Sequence, residues 1–330
     1  MKVAFLVESW GEPWNEGYKN LAKYITETIS NEIQVKVFSA SEVEPFILNE
    51  FNVIHIFNYK PPFYYIPAFI KARKHVIKQI AKKELDINVA TMVKNLFYAK
   101  LTWGTIVTST DILREEVRRL VRDKPVYYIP PPIPVNHFRP LDKQRSRRII
   151  GLDPSGVYIG YTGTLNRFRK LEMIGEALKL INDKRVTLVF SLTNINSGNI
   201  CELRRFPLLN KVRLVKVKDV RYFYSSVDLL VFPVEQEGAV EPPLTVLEAM
   251  SCGSVVVAYK NMVTSRLILN GHNGFLFSSP EELAEIIRRF LNEEFDTGKI
   301  AMNARKTIMQ YYDASKLRIH YLELYRQVSD

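Results

Sequence analysis

Two carboxylates, Glu241 and Glu248, flank the start of a short apolar segment that lies between two β-branched runs. Upstream, residues 227–233 (Val-Asp-Leu-Leu-Val-Phe-Pro) read as a buried strand ending at Pro233, and Ser254 to Ala258 is a second run of the kind that parallel sheets bury on both faces. Between them, Pro243 suits a first helical position, Leu244, Leu247 and Met250 recur at helical spacing, and Gly253 supplies the stop. The N-terminus of that helix, with its free N–H groups and partial positive charge, opens at the carboxyl end of a strand, where open α/β sheets hold anionic ligands. A diphosphate fits such a place.

A second group of residues has matching chemistry. After a strand over Val157 to Tyr161 comes Thr162-Gly163-Thr164-Leu165-Asn166-Arg167-Phe168-Arg169-Lys170, then an amphipathic stretch from Leu171 to Ile181. Glycine lets a ligand approach the backbone, and the cations Arg167, Arg169 and Lys170 are placed to neutralise phosphate oxygens. Taken alone, the same three cations also describe the solvated start of a helix.

The stretch from Glu235 to Ala258 resembles the family-4 retaining glycosyltransferases, whose donor domain carries a pattern of the type E-x-x-G-x-x-x-x-E-A-M-A-x-G-x-P-V-V-A. The likeness continues in Asn270-Gly271-His272-Asn273-Gly274 with the helix start after it, and in the Pro-rich residues 128–140, similar to the family's interdomain linker. It implies two Rossmann-like doubly wound parallel-sheet domains facing a cleft (the α/β GT-B fold) and transfer of a sugar from a nucleotide-sugar donor. It further implies that Glu241, Glu248 and Arg169 are catalytic, and that Gly163, Thr164, Arg167, Lys170, Glu237, Gly238, Leu244 and Thr245 hold the donor. Glu241 and Glu248 stand one residue closer than in the family, with Pro242-Pro243 between them, so Glu237 beside Gly238 is the rival for the first carboxylate. The family's phosphate-binding Arg falls on Thr164, leaving Arg167 or Lys170 to substitute. Transfer of this kind needs no metal and no cofactor. Another GT-B activity (epimerase or phosphorylase) and a non-catalytic sugar- or lipid-binding scaffold are the alternatives.

On the acceptor side the resemblance points to a loop after the first strand, where Trp10, Gly11, Trp14 and Gly17 fall, and to His55, taken to end an apolar strand at the cleft. His272, between Gly271 and Gly274, reads as a turn residue. A helix is expected within Ile66 to Lys83, with Lys71, Lys74, Lys78 and Lys82 on its polar side and Tyr59, Phe63, Tyr64 and Tyr65 nearby. Such a face suits an anionic membrane surface and a sugar or lipid-linked acceptor.

The chain has 330 residues, 47% hydrophobic and 25% charged, an ordinary globular balance for two domains. Its 46 Lys and Arg against 35 acids give a net charge of +11, which attracts polyanions, yet no nucleic-acid-binding motif accompanies it. Cys201 and Cys252 have no metal-ligand spacing, and no apolar run is long enough to span a bilayer, so a cytoplasmic protein, peripheral at the inner membrane face, is expected. Strands and helices alternate on both sides of the Pro130 to Pro134 cluster. That division predicts a first domain over 1–134, a second over 135–316, and a last helix over 317–330 returning to the first.

Overall fold

The computed structural model describes residues 1–12, 14, 16–39, 42–44, 50–57, 75–81, 103–165, 169–192, 206, 212–234 and 241–330. The chain divides into two compact units, one comprising Met1–Pro134, Ala239–Leu244 and Tyr312–Asp330, the other Val135–Gly238 and Thr245–Tyr311. The returning segment thus begins at Tyr312 rather than at residue 317. A short third piece, Ala239–Leu244, counted with the second domain in the sequence, lies in the first unit.

In the first unit β1 (Lys2–Val7), β2 (Gln34–Ser39), β3 (Val53–Ile56), β4 (Val76–Ile80), β5 (Thr105–Thr108) and β6 (Val126–Tyr128) form a parallel sheet in the order β2-β1-β3-β4-β5-β6. One face packs Ala4, Leu6, Ile54, Ile56, Val76, Ile80 and Ile106 against Val117 of α2 (Asp111–Leu120). Helix α1 (Gly17–Ile29) lies against the carboxyl-terminal helix, described below. The inner strands β3, β4 and β5 are buried along their whole length, as parallel pairing covered on both faces requires, while the edge strands β2 and β6 are partly exposed.

The expected helix within Ile66 to Lys83 is not what forms over its described part: Val76–Ile80 is the strand β4 at the middle of the sheet, all five residues buried. Val76, Ile77 and Ile80 favour a pleated, doubly covered position, and Lys78 is carried inside with them, 2% exposed. Its ammonium donates to the Phe57 carbonyl and lies 5.6 Å from the Trp103 ring centroid. Lys78 is therefore no part of a basic surface. Lys71, Lys74, Lys82, the aromatics at 59 and 63–65, and Cys201 lie outside the described residues.

In the second unit α3 (Lys143–Ile149) precedes β7 (Val157–Gly163), followed by α4 (Leu171–Ile181), β8 (Val186–Leu192), β9 (Val212–Leu214), α5 (Val220–Ser226) and β10 (Leu229–Phe232). Then come α6 (Leu244–Ser251), β11 (Val256–Tyr259), α7 (Thr264–Leu267), β12 (Phe275–Phe277), α8 (Pro280–Leu291) and α9 (Thr297–Tyr311). The chain ends in α10 (Ala314–Ser329), which is part of the first unit and packs there on α1 and β3. The six strands are parallel in the order β12-β11-β10-β7-β8-β9. Ile159, Tyr161, Phe190, Val231, Val257 and Phe277 pack on Ile174 and Ala177 of α4 and on Leu283 and Ile287 of α8. The opposite face meets α3 and α5, which the sequence pattern did not predict. There the buried Arg147 donates to the Ser226 carbonyl at 2.8 Å and to Asp228 at 2.8 Å, while Asp228 also accepts the Tyr158 N–H at 2.7 Å.

Candidate functional site

The strand order of the second unit reverses between β7 and β10. In open α/β sheets ligands sit at the carboxyl ends of the strands at such a switch point. The loop after β7 begins at Gly163, whose φ of +142° is left to glycine, and the Tyr161 hydroxyl donates to the Thr164 carbonyl at 2.6 Å. The loop returns at Arg169, which makes a β-bridge with Val234, and the Lys170 N–H donates to the Pro233 carbonyl at 2.9 Å. Two cationic residues are thereby fastened by their backbones across the β7–β10 junction, and the Arg169 guanidinium lies 5.5 Å from the Phe232 ring centroid. Both side chains remain partly exposed. Arg167 lies outside the described residues.

Helix α6 follows β10 and precedes the parallel neighbour β11, so its N-terminus also opens at the carboxyl edge of the sheet. Helix geometry starts at Leu244, one residue after Pro243. Leu244 is buried and Thr245 half-buried. The helix ends in a complete Schellman turn: the Gly253 N–H bonds Met250 at 3.0 Å and the Ser254 N–H bonds Ala249 at 2.9 Å, with Gly253 at φ +74°. From α9, Arg305 donates to the Phe138 carbonyl at 3.0 Å and to the carbonyl of Ser251, joining the linker to the last turn of α6.

Glu248 lies within α6 and is 5% exposed, its Oε2 accepting the Tyr224 hydroxyl at 2.8 Å. Burial and the neighbouring Glu248 charge push the Tyr224 phenol well above its ordinary range, and burial likewise raises the Cys252 thiol. Both groups stay protonated. Sequence reasoning missed Tyr224 and Arg305; no motif marks them, because each is defined by a partner on another helix. Glu237 and Gly238 lie outside the described residues.

In the first unit Glu241 is half-buried, and its backbone N–H donates to the Ala81 carbonyl just past β4. Gly11, at φ +99°, follows β1 with open space about its Cα, and Gly17 is the first residue of α1. The strand order of this unit reverses between β1 and β3, so the Trp10 to Gly17 loop starts at its switch point. Trp14 packs edge-on to Trp10 at 5.0 Å between ring centroids and has the Lys23 ammonium 4.4 Å from its own.

His55 is corrected. It is not a strand-end residue open to a ligand but is 0% exposed within β3, stacked on Phe57 at 4.4 Å and bonded through Nδ1 to the Tyr325 hydroxyl at 2.8 Å. The helix α10, which brings Tyr325, is what closes over it. Burial lowers its pKa from 6.5 to about 3, leaving a neutral ring. His272 sits in the 269–274 turn, its N–H bonded to the Leu269 carbonyl at 2.9 Å.

Among the described residues no group of three or more His, Cys, Asp or Glu side chains is arranged to hold a metal, and no helix is long and apolar enough to cross a membrane.

Residues 156–293 match the family described as Glycosyl transferases group 1. Among curated proteins, D-inositol 3-phosphate glycosyltransferase of Pseudarthrobacter chlorophenolicus is 25% identical over 157 residues, 44% of this chain and 37% of that protein. D-inositol 3-phosphate glycosyltransferase 2 of Catenulispora acidiphila is 24% identical over 218 residues, 60% of this chain and 50% of that protein. The chain thus spans half or less of the curated relatives it matches. Among solved structures, HepE of Anabaena in complex with UDP-glucose superimposes with a TM-score of 0.79 at 17% identity, covering 99% of this chain and 100% of that one. Sucrose-phosphate synthase from Thermosynechococcus elongatus gives 0.76 at 14% identity, covering 99% of each. The whole chain therefore has the two-domain α/β fold of the GT-B proteins, and within its second unit residues 156–293 match the family described as Glycosyl transferases group 1.

Proposed function

We propose that the protein is a glycosyltransferase that binds the nucleoside diphosphate of a sugar donor at the β7–β10 switch point of its second unit. The observation that carries this is the fastening of Arg169 and Lys170 to Val234 and Pro233, which fixes two cationic residues beside the edge where α6 begins. As the bond from the sugar to the diphosphate breaks, negative charge grows on the leaving oxygens. Arg169, Lys170 and the N-terminus of α6 neutralise it, each preorganised contact contributing roughly 2.7–4 kcal/mol, as donors to developing oxyanions do. Gly163 lets the diphosphate approach the loop, with Thr164 beside it. Glu248 receives hydroxyls of the ribose, and Thr245 and Leu244 line the start of the helix. We take the transfer to be retaining and to need neither metal nor cofactor, since protein cations do the work of neutralising the leaving group. The acceptor, a sugar hydroxyl free or lipid-linked, belongs to the first unit near the Trp10 to Gly17 loop. The structures of HepE with UDP-glucose and with UDP make uridine nucleotides the first donors to try.

The test is turnover. Incubation with UDP-, GDP- and ADP-sugars in EDTA, with released nucleoside diphosphate measured and the product anomer read by NMR, is expected to show release and retained configuration. Binding without release supports the non-catalytic scaffold instead; a strict need for a divalent ion or an inverted product contradicts the mechanism.

A further inference from the structure

Tyr224 is fixed at both of its polar ends by the segment that carries Glu248. Its hydroxyl donates to Glu248 Oε2 at 2.8 Å, and its carbonyl accepts the Ser254 hydroxyl at 2.7 Å, just past the Schellman turn of α6. The ring is 2% exposed and the carboxylate 5%. Burying a carboxylate inside a helix–helix contact costs stability unless it is bonded, and an apolar residue would fill the same space without that cost. Position 248 nonetheless carries a carboxylate, on a helix held at its far end by Arg305 and Gly253 and opening toward the switch point. An ionised carboxylate offers about four acceptor sites, more than the Tyr224 phenol occupies. The phenol instead restricts the torsions of a flexible side chain. Burial and the Glu248 charge hold the Tyr224 proton against ionisation, which keeps the phenol a donor to the carboxylate.

We propose that Tyr224 is a positioning residue: it fixes the Glu248 carboxylate in the orientation that lets the second unit prefer ribonucleotides over deoxyribonucleotides. This rests on the reading of Glu248 as the acceptor of ribose hydroxyls. Tyr224 touches no substrate. Its contribution is to hold Glu248 still before the ligand arrives, so that the hydroxyl bond forms without a further ordering cost.

The experiment measures affinities of the full chain for uridine, guanosine and adenosine diphosphates and for their 2′-deoxy and 3′-deoxy counterparts, in wild type, Tyr224→Phe, Glu248→Gln and Ser254→Ala. Wild type is expected to favour at least one ribonucleotide over its deoxy form. Tyr224→Phe keeps the ring and removes only the hydroxyl, and is expected to cut that preference by about fivefold or more, the size of one hydrogen bond. Its affinity for inorganic pyrophosphate should be unchanged. Ser254→Ala removes the other bond to Tyr224 and should lower stability while leaving the preference intact, so loss of stability alone is separated from loss of positioning. If wild type shows no preference, or Glu248→Gln keeps it, the ribose reading of Glu248 fails and this inference with it. If Glu248→Gln loses the preference and Tyr224→Phe retains it, the ribose reading stands and the role of Tyr224 is overturned.

Discussion

The backbone N–H of Glu241 donates to the Ala81 carbonyl at 2.6 Å, while the N–H of Ala81 donates to the Tyr18 hydroxyl at 3.0 Å. Ala81, the residue just past β4, is fully buried, and both of its backbone groups are used. Glu241 and Glu248, close in sequence, consequently belong to different units.

That separation predicts different consequences for the two glutamates. Glu248→Gln should weaken nucleoside diphosphate binding by roughly 1–3 kcal/mol, the cost of leaving buried partners mismatched. Glu241→Gln should leave that affinity unchanged, since its anchor to Ala81 is through the backbone and lies in the first unit. Calorimetry on both variants decides this; an equal loss in the two contradicts the division. Tyr18→Phe should reduce stability by about 1–3 kcal/mol, because the buried Ala81 N–H loses its acceptor. Urea unfolding measures that loss.

Lys78 gives a second expectation. Its ammonium is inside the first sheet, on the Phe57 carbonyl. Lys78→Glu places a carboxylate against that carbonyl and should lower stability by about 3 kcal/mol or more, in the range for an uncompensated buried charge. Cosedimentation with anionic vesicles should not respond to Lys78→Met in a variant that still folds, because the side chain has no surface to lose. Salt-sensitive loss of vesicle binding in that variant would show that Lys78 is a surface cation after all.

His55 makes stability depend on pH. The folded ring stays neutral down to about pH 3, whereas the unfolded chain takes up a proton near 6.5. Between those values the unfolded state binds more protons, so stability rises with pH across that window. It is lost as the pH falls below 6.5, by up to about 1.4 kcal/mol per unit. Above 6.5 both states are neutral and the contribution is flat. His55→Gln should remove this slope. Denaturant melts of both proteins from pH 7 to pH 4.5 measure it, and parallel slopes would mean that His55 protonates in the folded chain.

Most of the sheet was legible because β-branched runs and glycine stops are local signals. Thr105–Thr108 and Leu229–Phe232 carry their burial in their own composition, and Gln34–Ser39 shows its strand in the alternation of polar and apolar residues. Val76–Ile80 was not legible: in Val-Ile-Lys-Gln-Ile the polar pair imitates the outer face of a helix, and only the neighbouring strands and Trp103 show why a lysine can be interior there. The expected place of His55 failed for a related reason. Its environment is made by Tyr325, on a helix 270 residues later, and nothing within four residues of His55 announces that cover. Gly163 could be singled out as a glycine after a strand and Gly253 as a helix stop, while Arg169 stood out as one of three cations after β7 and through the family resemblance. Tyr224 and Arg305 act through helices that meet only in the fold.

The central claim, that Arg169 and Lys170 at the β7–β10 junction hold a nucleoside diphosphate, is tested most directly by calorimetric titration of UDP, GDP and ADP in EDTA. Wild type and the double variant Arg169→Ala/Lys170→Ala are compared. Replacing the side chains spares the backbone bonds to Val234 and Pro233, so the loop should keep its place. Wild type should bind at least one of the three without metal, and the double variant should bind it at least about a hundredfold more weakly, as expected for losing charge-assisted contacts worth roughly 1.5–3 kcal/mol each. Absence of binding in wild type, or unchanged affinity in a folded double variant, contradicts the account.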